Sequence, residues 1–125
     1  MKRVPAILLV DDNDQDRKII LRLLRRMGWE AVAEAADAGS GIELAQRDPV
    51  DLAIIDTVLP GVEGFEVCRR VRQLRPAARI IMITGHIDAL DAGKARKAGA
   101  DDYVVKTSGG EPLTEAIDRA MKDFA

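Results

Sequence analysis

The sequence predicts a three-layer α/β sandwich, in which a parallel sheet is covered by helices on both faces. Three observations predict it. Five short apolar runs alternate with five segments of helical periodicity along 125 residues. The strongest runs are apolar at consecutive rather than alternate positions, the pattern of strands buried on both faces. Four of the five runs stop abruptly on an acid, a hydroxyl or a lysine. Right-handed crossovers place helices on both sides of such a sheet, and its strand ends then share one edge.

Residues 6–10, AILLV, form the first run and end on the acid pair Asp11-Asp12. Ile19, Ile20, Leu23, Leu24 and Met27 then recur at helical spacing, with Arg17, Lys18, Arg22, Arg25 and Arg26 on the other face and Gly28 as the stop. Residues 30–35 read as a weaker strand. Ser40 is placed to cap a short helix that Pro49 ends. The central strand, residues 52–55, runs into Asp56, and Pro60, Gly61 and Gly64 prevent a helix from starting at once. Phe65, Val67, Cys68, Val71 and Leu74 mark a third helix closed by Pro76. Residues 79–84, RIIMIT, form the fourth strand and end on Thr84. An alanine-rich helix over 88–98 stops at Gly99, a fifth strand over 103–105 ends on Lys106, and Leu113, Ile117, Ala120 and Met121 make a last helix with Pro112 in its first turn.

Length and composition bound the function. One domain, residues 1–125, accommodates the chain. With 19 basic and 21 acidic residues the net charge is −2, so no direct nucleic-acid contact is expected. The apolar run before Asp11 is too short for a signal peptide or a membrane span, which leads us to expect a cytoplasmic protein without membrane insertion. Cys68 is the sole cysteine and reads as a reduced core residue.

The strand-end residues Asp11, Asp12, Asp56, Thr84 and Lys106 are expected to converge. Three carboxylates a few ångströms apart repel by roughly 4 kcal/mol per pair at 4 Å in an effective dielectric near 20. A cation has to offset this, and hard oxygen ligands favour Mg²⁺ over zinc. Lys106 as a point cation and Thr84 as a hydroxyl donor suit the equatorial oxygens of a phosphoryl group. Asp56 is then the nucleophile, forming an acyl phosphate.

The acid pair, the DTVLPGVEG segment beginning at Asp56, Thr84-Gly85, the AGADDY segment ending at Tyr103, and Lys106 together resemble the receiver domain of two-component response regulators, chemotaxis regulators among them. The resemblance covers the whole chain. It implies a flavodoxin-like (βα)5 fold with strand order 2-1-3-4-5 and a phosphorylation-dependent signalling switch. Asp56 resembles the phosphoacceptor that receives phosphate from a histidine kinase or a histidine phosphotransfer protein. Asp12 resembles the direct Mg²⁺ ligand, Asp11 one acting partly through water, and the backbone carbonyl of Val58 a further ligand. Lys106 resembles the phosphate-binding lysine, and Thr84 with Tyr103 the switch pair. An output partner is expected on the face of the fourth helix, fifth strand and last helix.

The sequence departs from that family at three places. Thr107 follows Lys106 where the family usually has proline in a cis peptide, Val58 stands where methionine is frequent, and Glu63 replaces a common aspartate. His86 is the only histidine and is expected to be a partly exposed loop residue gating water near the site, with a general base promoting loss of the acyl phosphate as the other reading. Among other readings, a phosphohydrolase with an aspartate nucleophile expects a second aspartate at the place of Val58. A flavin module expects a phosphate-cradling loop where this chain has acids. A phosphate-independent receiver-like interaction module is the alternative that Thr107 leaves open.

Overall fold

The computed structural model describes residues 4–106, 109–122 and 124. In chain order the elements are β1 (Ile7–Val10), α1 (Asp14–Arg26), β2 (Val32–Ala35), α2 (Ala38–Arg47), β3 (Leu52–Asp56), β4 (Val58–Leu59), β5 (Val62–Glu63), α3 (Gly64–Leu74), β6 (Arg79–Thr84), α4 (Ala89–Ala98), β7 (Asp102–Val105) and α5 (Glu111–Met121). Five strands pair in parallel in the order β2-β1-β3-β6-β7, which is the expected 2-1-3-4-5 once the short β4–β5 pair is set aside.

Consecutive apolar residues are needed because the two faces of each strand enter different cores. Leu8, Val10, Ala53, Ile55, Ile80 and Met82 pack against α2, α3 and α4. Ile7, Leu9, Leu52, Ile54, Ile81 and Ile83 pack against α1 and α5. Complete burial of a leucine or isoleucine stabilises by about 1.5–3 kcal/mol, so no position in β3 can be given up to water. The only acid in that strand comes last.

Helix ends follow local chemistry. Asn13 caps α1 by accepting a hydrogen bond from the Asp16 amide, while Asp14 and Asp16 in the first turn and Arg25 and Arg26 in the last complement the helix dipole. The Trp29 amide returns to Leu24 O at 2.9 Å, and the half-buried Trp29 packs on the α1–α5 side, just past the end of the first helix. The cap of α2 is Asp37, not Ser40. The Asp37 carboxylate accepts from the Ser40 amide at 2.8 Å, which starts the helix earlier and leaves Ser40 in its first turn. That backbone hydrogen bond also holds the Asp37 carboxyl below the usual carboxylate range.

Asp88 caps α4, and Gly99 ends it with φ of 103°. A side chain at Gly99 would also press on Arg72, whose guanidinium binds Gly99 O, Ala78 O and Asp101 and so ties α3 to the turn before β7. Cys68 is buried in α3, where desolvation pushes its thiol up to about 11. Among the described residues, no helix is long and apolar enough to cross a membrane. Thr107, and with it the question of the peptide after Lys106, lies outside the described residues.

Candidate functional site

Parallel register levels the strand ends. Val10 pairs with Ile55, so the next residues, Asp11 and Asp56, emerge side by side. Both are buried, at 0% and 6% exposure, whereas Asp12 lies open to solvent. One oxygen from each of the three carboxylates lies within 4.8 Å of the others. Tight turns fix two of them: Asp11 Oδ1 accepts from the Asn13 amide at 2.9 Å, and Asp56 Oδ1 accepts from the Val58 amide at 3.0 Å. The second of these turns opens the β4–β5 hairpin, whose two-residue strands are too short to leave a periodic signal in the sequence.

Lys106 enters from the opposite side of β3. Its amide donates to Thr84 O at 2.7 Å, continuing the β6–β7 pairing by one residue. Its Nζ lies 2.7 Å from Asp56 Oδ2, 2.8 Å from Asp11 Oδ2 and 2.9 Å from Asp16 Oδ2. Asp56 and Asp16 accept hydrogen bonds from it. Asp11 Oδ2 is fully buried and ion-paired with Lys106, though among the described residues no donor meets it with hydrogen-bond geometry. Burial pushes the Asp11 carboxyl above its ordinary value; Lys106 and the Asn13 amide pull it back, while the Asp56 charge adds to the rise. Burial also disfavours the Lys106 ammonium, but Asp11, Asp56 and Asp16 outweigh it and hold the pKa above the ordinary lysine value.

These donors fit a hard divalent cation. The Lys106 ammonium counters only one charge, so the three clustered carboxylates, two of them buried, keep an excess of negative charge that a further cation would offset. The cluster offers only oxygen, which suits Mg²⁺.

The remaining expected residues are near, with their polar groups engaged locally. The Thr84 hydroxyl donates to His86 O at 2.9 Å and accepts from the His86 amide at 3.2 Å. Tyr103 is half-buried, with its hydroxyl 3.5 Å from the same His86 carbonyl and 3.3 Å from the Asp88 amide. The His86 side chain is exposed, and it is the backbone of this residue that joins the pair. Val58 is 73% exposed beside Asp56. Asp16 escaped the reading of the sequence. Its signal is a carboxylate in the inward stripe of α1, four residues before Ile20 and seven before Leu23.

Residues 7–118 match the response regulator receiver domain family. The chain belongs to that family. The receiver domain is 38% identical over 119 residues to the transcriptional regulatory protein AfsQ1 of Streptomyces coelicolor, covering 95% of this chain and 52% of that one. It therefore spans about half the length of the first curated relatives it matches, as the 50% coverage of the next relative repeats. Among solved structures it is similar to a response regulator from Burkholderia pseudomallei with a phosphorylated aspartic acid and a calcium ion, with TM-score 0.83, 28% identity, and coverage of 94% of this chain and 69% of that one. It is also similar to the Thermotoga maritima response regulator TrrA in complex with Mg²⁺–BeF, with TM-score 0.83, 28% identity, and coverage of 93% and 98%. A receiver domain is a phosphoacceptor of two-component phosphorelays rather than a turnover enzyme, and membership implies a histidine kinase partner.

Proposed function

We propose that the receiver domain takes a phosphoryl group onto Asp56, with Mg²⁺ bound beside it, and relays that event to the face formed by α4, β7 and α5. One observation carries the reading: the buried Asp56 carboxylate sits 2.7 Å from Lys106 Nζ inside a cluster of three carboxylates. Asp56 Oδ2 attacks the phosphorus of a phosphohistidine on a histidine kinase or a histidine phosphotransfer protein. A P–O bond forms, the P–N bond breaks, and the electron pair returns to the imidazole nitrogen, whose ring leaves neutral when its other nitrogen carries a proton. Asp11, Asp12, Asp56 and the Val58 carbonyl would hold Mg²⁺, which when bound offsets the charge of the phosphoryl oxygens. Lys106 passes from carboxylate to phosphoryl oxygen and holds it.

The output step starts at Thr84. A phosphoryl oxygen is a stronger acceptor than a carbonyl and draws the Thr84 hydroxyl away from His86 O. That carbonyl also faces Tyr103, whose hydroxyl accepts from the amide of Asp88, the cap of α4. The exchange thus reaches the first turn of α4, where Leu90 is 78% exposed. A partner docking on this face, and a cytoplasmic place of action, complete the reading. Incubation with Mg²⁺ and acetyl phosphate, followed by intact-mass measurement, tests it. We expect one added phosphoryl group, dependent on Mg²⁺ and lost in Asp56→Asn. A folded protein that gains none with acetyl phosphate or with a phosphohistidine donor would instead be a phosphate-independent interaction module.

A further inference from the structure

Asp16 is a fourth carboxylate at the site, outside both the acid pair and the acceptor. It lies in the first turn of α1, with its amide fixed by the Asn13 cap at 2.9 Å. Its Oδ2 accepts a hydrogen bond from Lys106 Nζ across 90 positions of sequence. An apolar cleft of about 280 Å³, walled by Ile19, Ile20, Leu23 and Leu113, opens beside this contact. The ammonium is therefore shared among Asp56, Asp11 and Asp16, at 2.7, 2.8 and 2.9 Å, and hydrogen bonds to Asp56 and Asp16 engage two of its three N–H groups.

A phosphoryl group on Asp56 needs the same ammonium. It also adds negative charge to a corner that already holds Asp11, Asp12, Asp16 and Asp56. We infer that Asp16 is a positioning residue that competes with the phosphoryl group for Lys106 and so weakens retention of phosphate at Asp56. The inference rests on Asp56 being the phosphoacceptor. It concerns how strongly the unmodified state is held, a property that the acid pair, Asp56, Thr84 and Lys106 do not set by themselves.

The test is a double-mutant cycle on beryllofluoride affinity at saturating Mg²⁺, followed by ¹⁹F NMR titration in wild type, Asp16→Asn, Lys106→Gln and the double variant, with Asp16→Glu as the conservative control. Asp16→Asn is close to isosteric and leaves the backbone amide to the Asn13 cap, and thermal melts verify that each variant is folded. Freeing the Lys106 ammonium from the Asp16 carboxylate is expected to tighten beryllofluoride binding about tenfold. Asp16→Glu returns affinity toward wild type. In the Lys106→Gln background the effect of Asp16→Asn falls below about twofold, because the competition has lost its object. An equal effect in both backgrounds, or no tightening in folded Asp16→Asn, overturns the inference while leaving the phosphoacceptor reading intact. Failure of the wild type to bind beryllofluoride with Mg²⁺ overturns that reading, and this inference with it.

Discussion

Gly64 lies where the chain returns from the β4–β5 hairpin and crosses the end of β3. A methyl group there would place its carbon 1.7 Å from the Asp56 carbonyl oxygen and 2.9 Å from Thr57 Cα, both backbone atoms that cannot rotate aside. Real Cβ contacts essentially never fall under 3.0 Å, so Gly64→Ala has to part the two segments by more than an ångström. Two backbone hydrogen bonds hold them as they are: Gly64 N to Thr57 O, and Thr57 N to Ile83 O, each 2.9 Å. Weakening both costs about 0.5–1.5 kcal/mol apiece, and the overpacking adds about 1–3 kcal/mol. The expected loss is about 2–6 kcal/mol. At about 4 °C per kcal/mol for a chain of this length, Tm falls by about 8–24 °C. Thermal melts followed by circular dichroism measure it, and the surviving folded fraction is expected to show weakened Mg²⁺ binding in calorimetry, because the same crossing positions Asp56. A Tm within about 4 °C of wild type, or unaltered Mg²⁺ affinity, would refute the claim that this crossing admits no side chain.

Gly93 provides the opposite case. It sits in the interior of α4 with no atom within 4 Å of where a Cβ would be, so Gly93→Ala is expected to stabilise by about 0.5–1 kcal/mol, read as an increase in Tm. Asp11 gives a pH signature. Its carboxyl is raised in the folded protein, chiefly by burial, so between the ordinary value of 3.8 and the native value the folded state binds more proton than the unfolded one. Stability therefore falls as pH rises through that window, and the cost is fully present above it. Asp11→Asn, melted in EDTA from pH 3 to pH 8, is expected to exceed wild type at neutral pH and to lose that advantage below about pH 4.

Much of this arrangement was legible because burial writes itself into consecutive residues. A strand apolar at every position from Leu52 to Ile55 has both faces covered, and an acid directly after it has only the sheet edge to occupy. The same logic placed Asp11, Asp12, Thr84 and Lys106. It failed where the determining interaction is a single hydrogen bond between near neighbours. Ser40 and Asp37 are both good caps, and only the direction of one bond, Ser40 amide to Asp37 carboxylate, decides between them. The β4–β5 hairpin spans two residues on each side, below the length at which alternation has meaning. Asp16 was missed for a different reason. Its neighbours in the stripe are apolar, and a carboxylate at the head of a helix is already accounted for by the dipole, so nothing local demanded a distant partner.

The groups at the site divide by how they are held. Asp11 and Asp56 take their positions from strand ends and from the amides of Asn13 and Val58, so their mutual repulsion is resisted by backbone and not by their own choice of rotamer. Lys106 and Thr84 are held by partners they can leave: a flexible ammonium shared with Asp16, and a hydroxyl turned to the His86 carbonyl. On the proposed reading, phosphorylation consists of those two exchanges made against a fixed frame. The energy separating the two states then depends on Asp16 and on the backbone around His86 as much as on the acids that bind metal. On that reading the extra carboxylate on α1, by holding Lys106, shifts the balance in this chain toward the unmodified state.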